Sequence, residues 1–256
     1  MNIHYKNEEE REGMRVAGKF AARTLMMLNE HVKEGVATRY LDELVRDFTH
    51  DHGHVCATLG YGEPPFPAHC CISINDVACH GIGDDTILKD GDIVNIDVTP
   101  IVDGWHGDTS KMFLIGDVSK EDKELCKVAH TAMWKGIEAI EIGEDVATIG
   151  AAIESYMRNQ KFATAKQYCG HGVGNVFHEE PQILHYNYWR YGVTIEPGMT
   201  FTIEPIINAG LGNTRISQDD HWTVYTGDGT KSAQWEHTIL ITDDDVQVLT
   251  LREEEL

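Results

Sequence analysis

The stretches Ile93-Val94-Asn95-Ile96-Asp97-Val98 and Phe201-Thr202-Ile203-Glu204-Pro205-Ile206-Ile207 each read as a buried strand with one acid set into it. Each is followed by a second acid near another apolar strand: Asp108 ahead of Met112-Phe113-Leu114-Ile115, and Glu236 ahead of Thr238-Ile239-Leu240-Ile241. A carboxylate in an apolar sheet is costly unless something positive neutralises it. On this reading no Lys or Arg shares a strand with any of the four, so a metal ion is the natural counter-charge. The plainer alternative is four unrelated acids at wet strand ends.

Spacing argues against that alternative. Gly91 precedes Asp97 by the interval at which Gly198 precedes Glu204, each after a turn (Lys89-Asp90-Gly91 and Glu196-Pro197-Gly198). Upstream, Val36-Ala37-Thr38 and Val146-Ala147-Thr148 each introduce a helical pattern with Thr in the N-cap position. Ahead of each lies a longer helical pattern, Glu8 to about His31 and Ser119 to about Ile142. The second opens on Ser119-x-x-Asp122, close to a capping box, and stops before Gly143. The chain therefore reads as two copies, about 8–115 and 119–250, of helix, helix, strand with acid, strand with acid. Both halves offer a carboxylate pair to one shared centre, in an α/β (α+β) fold.

Composition narrows the function class. With 256 residues, 41% hydrophobic and 25% charged, the chain has the profile of a soluble globular protein with a substantial core. No Pro/Gly/Ser-rich linker divides it, so a single domain over residues 1–256 is expected. The net charge of -21 argues against free nucleic acid as a partner. Much of the acid, in Glu8-Glu9-Glu10, Asp243-Asp244-Asp245 and Glu253-Glu254-Glu255, is expected to be solvated. The start, Met1-Asn2-Ile3-His4-Tyr5-Lys6-Asn7, is too polar for a signal peptide, and no apolar run is long enough to span a bilayer. Six cysteines lack a CxxC spacing, and the adjacent Cys70 and Cys71 suit neither a disulfide framework nor a zinc knuckle, so a reducing cytoplasm is expected. The run His50-Asp51-His52-Gly53-His54 is expected to be a solvated loop, and Cys56, Cys126 and Cys169 are given no role.

One nitrogen ligand suits four acids. His171 lies in Tyr168-Cys169-Gly170-His171-Gly172-Val173-Gly174, where flanking glycines let the backbone approach whatever the imidazole binds. His178, in Phe177-His178-Glu179-Glu180-Pro181, and His80, in Ala78-Cys79-His80-Gly81-Ile82-Gly83, are further pocket candidates.

At these residues the sequence resembles the type I methionine aminopeptidases, in the short bacterial form. The resemblance rests on Tyr168 through Gly174, His178, Ile183-Leu184-His185-Tyr186, Cys71-Ile72-Ser73-Ile74-Asn75, Asp92 to Val98, His106-Gly107-Asp108-Thr109-Ser110, Met199 to Pro205 and Ala233-Gln234-Trp235-Glu236-His237-Thr238. It runs from the first helix to about Leu251. It implies the "pita-bread" fold: a pseudo-twofold domain with a curved, mostly antiparallel sheet, helices outside and a dinuclear metal centre between the halves.

It also implies five metal ligands: Asp97, Asp108, His171, Glu204 and Glu236, with Asp108 and Glu236 bridging. Two divalent ions (Co, Mn, Fe or Zn) are implied, with attack by a metal-bridging hydroxide and Glu204 as general base. His178 is implied as oxyanion stabiliser and His80 as contact to the scissile amide nitrogen. Tyr61, Phe66, Cys71, Phe177 and Trp222 are implied for the methionine slot, beside His80 and His178. Two departures stand out: Thr58 where Cys is frequent, and a longer loop at Gly62-Glu63-Pro64-Pro65-Phe66. The region Gly210 to Asn213 and Ser217 to His221 lacks the lysines associated with ribosome docking, which weakens that partner.

The expected activity is removal of the initiator methionine from nascent chains with a small second residue, by a monomer that needs no membrane. Alternatives on the same fold are a prolidase or Xaa-Pro aminopeptidase, and a non-catalytic peptide-binding module.

Overall fold

The structure, a computed structural model, describes residues 2–255; Met1 of the polar opening run and Leu256 lie outside them. Helix α1 spans Glu8–Leu28. Its start is fixed by a capping box: the Asn7 side chain accepts the Glu10 N–H at 3.1 Å and the Glu10 carboxylate accepts the Asn7 N–H at 2.8 Å. Glu10 is therefore a cap rather than solvated acid, and Glu8 and Glu9 beside it favour the positive end of the helix. Met14, Ala17, Gly18, Ala21, Leu25 and Leu28 bury one face at helical spacing. The helix stops short of His31, because the Asn29 N–H turns back to the Met26 carbonyl.

The expected threonine caps are corrected. Helix α2 spans Thr38–Asp51 with Ala37 at its N-cap, and Thr38 is the first helical residue. The Thr38 hydroxyl instead donates to the Asp84 carbonyl at 3.0 Å and accepts the Asp84 N–H at 2.9 Å. Helix α3 spans Lys120–Glu138; Ser119 caps it by accepting the Asp122 N–H, but the reciprocal half of a capping box is missing. It ends before Ile142, because the Ala139 N–H turns back to the Gly136 and Ile137 carbonyls. Helix α4 spans Ala147–Met157, and Asp145 does the work expected of Thr148. The Asp145 carboxylate accepts from the N–H groups of Ala147, Tyr191 and Gly192. A carboxylate has lone pairs for several donors, which one threonine hydroxyl cannot match.

Every named strand pairing is antiparallel. The strands form five small sheets of three to five strands. In the first half, Cys71–Ile74, Ile93–Val98 and Thr109–Leu114 lie side by side. In the second, the order is Glu179–Leu184, Cys169–Gly172, Thr200–Ile203, His237–Ile241, Val246–Val248. Each half has its own apolar core. One joins α1 and α2 to the first sheet through Leu25, Leu41, Val45, Ile72, Val94 and Ile96. The other joins α3 and α4 to the second sheet through Leu125, Met133, Ile149, Ile153, Phe201 and Ile239. The layers are helices outside and sheets inside, as the family resemblance implies.

Gly107, next to Asp108, lets α1 sit against this framework. A Cβ there would lie 2.2 Å from the Ala17 carbonyl oxygen, which is helix backbone and cannot yield. Gly107→Ala should therefore cost about 2–3 kcal/mol of overpacking and lower the melting temperature by about 5–10 °C. A thermal melt followed by circular dichroism checks this; an unchanged midpoint contradicts the tight approach.

Candidate metal centre

Hairpin register gathers the four acids. Asp97 lies opposite Ser110, which puts Asp108 two residues further along the neighbouring chain segment. Ile203 lies opposite His237, which sets Glu204 beside Glu236 at the end of the second hairpin. The two hairpin ends are tied together there by reciprocal bonds. The Thr109 hydroxyl donates to the Glu236 carbonyl at 2.7 Å, and the Thr238 hydroxyl donates to the Asp108 carbonyl at 2.7 Å. The Glu236 N–H also bonds the Ser110 carbonyl. His171 arrives on Cys169–Gly172, whose Gly172 pairs with Phe201. A Cβ on Gly170 would lie 2.2 Å from the Thr202 carbonyl, and one on Gly172 2.3 Å from the Glu180 carbonyl, so these glycines admit neighbouring strands.

One ligand atom each from Asp108, His171 and Glu236 fall within 4.8 Å of one another. His171 Nε2 is 3.6 Å from both an Asp108 oxygen and a Glu204 oxygen, too long for a hydrogen bond and suited to a shared ion. His171 Nδ1 faces the Gly172 carbonyl at 2.9 Å; a carbonyl only accepts, so Nδ1 carries the proton and Nε2 the lone pair. Asp97 Oδ1 is buried without a hydrogen-bond partner among the described residues. The Asp108 and Glu204 carboxylates are held from behind by residues the sequence did not single out. Thr99 donates to Asp108 at 2.9 Å, while Thr202 and Gln234 donate to Glu204 at 2.7 and 3.1 Å. His185 accepts the Glu204 N–H.

Burial raises the pKa values of all four acids, and acidic neighbours add to the rise at Asp97, Glu204 and Glu236. Burial pushes Asp108 up to about 7 against the bond from Thr99. Burial and then the Asp108 charge push Glu204 up to about 8. Asp97 and Glu236 are driven well above the carboxylate range by burial and by their acidic neighbours. The imidazoles move the other way: burial lowers His171 and His80 to about 4, so both are neutral at pH 7. A neutral imidazole is the form that ligates metals.

Two cations correct the reading that none is near. Lys111 does lie on Thr109–Leu114, opposite Ile96, but its Nζ bonds Asn29 and Glu254. The buried Arg252 donates to the Thr109 hydroxyl at 3.0 Å and the Ser110 carbonyl at 3.4 Å, and pairs with Glu255 at 2.8 Å. Both cations are engaged with the C-terminal acids, so Glu254 and Glu255 are ion-pair partners rather than solvated tail. His237 and His130 close on Glu255 as well. The Arg252 charge favours ionised Glu236, but burial and the acidic neighbours outweigh it, and an oxygen-rich set with one imidazole fits a divalent ion.

A cavity of about 590 Å³ opens beside the acids. Tyr61, Phe66, Cys71, Phe177 and Trp222 line it, together with His80 and His178. Phe66 meets Trp222 edge-on at 5.3 Å and Tyr61 lies 4.9 Å from Phe177. Thr58, Cys79 and Cys169 also line the wall, which gives Cys169 a place the sequence reading denied it. His80 has a φ of 54°, a left-handed backbone that costs a non-glycine residue roughly 1 kcal/mol or more. The histidine run at His50 is corrected too: α2 continues through His50 and Asp51, and the His52 and His54 rings pack on Phe20 at 5.2 and 4.7 Å.

Comparison with known proteins decides the family. The sequence profile described as metallopeptidase family M24 matches residues 12–243. The chain belongs to that family. It is 48% identical to the methionine aminopeptidase of Escherichia coli K12 over 257 aligned positions, covering all of this chain and 96% of that protein. The crystal structure of methionine aminopeptidase from Rickettsia prowazekii superposes with a TM-score of 0.95 at 47% identity, covering 98% of this chain and 100% of that one. A prolidase from Pyrococcus furiosus matches with a TM-score of 0.78 at 21% identity, covering 97% of this chain and 66% of that one, a likeness of fold alone. The chain is thus a metallo-exopeptidase on the methionine aminopeptidase side of the family, which overrides the prolidase and non-catalytic alternatives.

Two outcomes follow from the site. Between the ordinary carboxylate value of about 4 and the raised values of about 7 and 8, the folded metal-free protein holds protons that the unfolded chain has released. Its stability should therefore fall as pH rises through that window. Metal-free protein should melt lower at pH 8.5 than at pH 6.5, with saturating Mn(II) closing the gap; a metal-free midpoint that holds steady or climbs contradicts this. Separately, Glu255→Gln leaves the buried Arg252 underpaired and should cost about 3 kcal/mol, read by urea unfolding.

Proposed function

We propose that this chain removes the N-terminal initiator methionine from nascent proteins whose second residue is small. The observation that carries this reading is the cluster of carboxylates around His171, whose desolvation outweighs the nearby Arg252 charge, opening onto an apolar, sulfur- and aromatic-lined slot. Such a slot suits a thioether side chain.

Asp97, Asp108, His171, Glu204 and Glu236 would hold two divalent ions, drawn from Mn(II), Fe(II), Co(II) or Zn(II). When bound, such ions lower the pKa of water towards neutrality and polarise a carbonyl oxygen. The chain's own residues supply the rest. Glu204, held by Thr202 and Gln234, takes the proton from the attacking water. His178 donates a hydrogen bond to the oxygen on which negative charge develops. His80 meets the scissile amide nitrogen and steers onto it the proton that Glu204 took from the water, so that the amine leaves as the C–N bond breaks. Phe66, Trp222, Tyr61, Phe177 and Cys71 enclose the methionine side chain. We assign all of this to a single catalytic domain with half-repeats at about 8–115 and 119–250, acting as a monomer in the cytoplasm. Among the described residues, no helix is long and apolar enough to cross a membrane. Ribosome contact, if made, lacks the basic loop that the resemblance would supply.

Protein reconstituted with each metal in turn should release methionine from Met-Ala-Ser and spare Met-Lys peptides. Turnover with none of the ions, or faster cleavage of Xaa-Pro peptides, contradicts the proposal. Glu204→Gln should lower kcat by at least about 100-fold, measured on the same peptide.

A further inference from the structure

The His171 and His178 imidazoles have ring centroids 4.1 Å apart yet face different partners at Nδ1. At His171 the partner is a backbone carbonyl, which forces the proton onto Nδ1 and leaves Nε2 bare for a metal. At His178 the partner is the Tyr61 hydroxyl, at 2.7 Å, and it is the one hydrogen bond that this imidazole makes among the described residues. A phenol can donate as well as accept. The Tyr61 hydroxyl has no other protein acceptor in reach among the described residues. Donation to Nδ1 therefore satisfies both groups, whereas a proton on Nδ1 would leave the phenolic proton without a protein partner.

We propose that Tyr61 is a positioning residue for the reaction: its O–H donates to Nδ1 of His178 and fixes the Nε2–H tautomer. The nitrogen left free then presents a proton to the substrate oxygen, and neighbouring imidazoles are set as opposite tautomers, one to ligate and one to donate. This rests on the reading of His178 as the oxyanion donor.

The surroundings hold that bond in place. Phe177 stacks on His178 at 4.2 Å and lies 4.9 Å from the Tyr61 ring, so the three rings restrain one another. The loop carrying Tyr61 is bonded to itself: Gly60 N–H to the Phe66 carbonyl, Tyr61 N–H to the Thr58 carbonyl, Phe66 N–H to the Tyr61 carbonyl. From the second half of the chain, the Trp222 indole N–H donates to the Pro64 carbonyl at 2.8 Å. The loop that walls the side-chain slot thus also supports the hydrogen-bond donor. Filling the slot and orienting His178 become one structural event.

The test is Tyr61→Phe, which keeps the ring and removes the hydroxyl. In the metal-free and Zn(II)-loaded proteins, ¹⁵N imidazole correlation spectra should show wild-type His178, assigned by its absence in His178→Ala, as the Nε2–H tautomer. Tyr61→Phe should convert it to a mixture. With activating metal, kcat on Met-Ala-Ser should fall about 10- to 100-fold, with KM within about twofold because the slot keeps its ring. A wild-type His178 protonated on Nδ1 overturns the proposal, as does an unchanged kcat in Tyr61→Phe. Near-normal turnover by His178→Ala overturns the oxyanion reading beneath it. That failure is told apart because the tautomer change in Tyr61→Phe would still be seen.

Discussion

Four buried or half-buried carboxylates gathered at one place, whose desolvation and mutual repulsion outweigh the nearby Arg252 charge, set the terms for the rest of this structure. Asp97, Asp108, Glu204 and Glu236 repel, and their desolvation alone raises each pKa. A fold can keep such a group together only if the surrounding framework is strong and a cation can enter. The framework is visible in the crossed threonine bonds between the hairpin ends, Thr109 to Glu236 and Thr238 to Asp108. Behind them, Arg252 and Glu255 brace the same strands from the side away from the cavity. The site is assembled where these side-chain bonds tie the two halves together.

The same logic explains how neighbouring histidines take different parts. Bonding at Nδ1, more than position, separates His171 from His178. A carbonyl and a phenol at that nitrogen select opposite tautomers, so adjacent rings have different chemistry on offer. His80 is placed by an unfavourable backbone angle instead, of the kind that active sites retain.

The acids and their symmetry were legible because strand period and charge are local properties of sequence. An acid inside Ile93–Val98 stands out without any knowledge of its partners. The family resemblance then placed the site residues and the slot. What the sequence hid was pairing at long range. Glu254 and Glu255 look like a solvated tail, and nothing local shows that Lys111 and Arg252 are folded against them. Thr38 and Thr148 look like caps, while Asp84 and Asp145 supply the bonds from outside the helices. Thr99, Thr202 and Gln234 are ordinary polar residues until register aims them at a carboxylate. The capping box at Asn7 and Glu10 was local and readable, and was masked by the run of three glutamates.

Proton release on metal binding tests the central claim most directly. Calorimetric titration of metal-free protein with Mn(II) at pH 7, in two buffers of different ionisation enthalpy, counts the protons displaced. Carboxylates raised to about 7 and about 8 hold protons that a bound ion must expel, so the account predicts release of about one proton or more per chain. Binding with no proton release, or no binding at all, would contradict it.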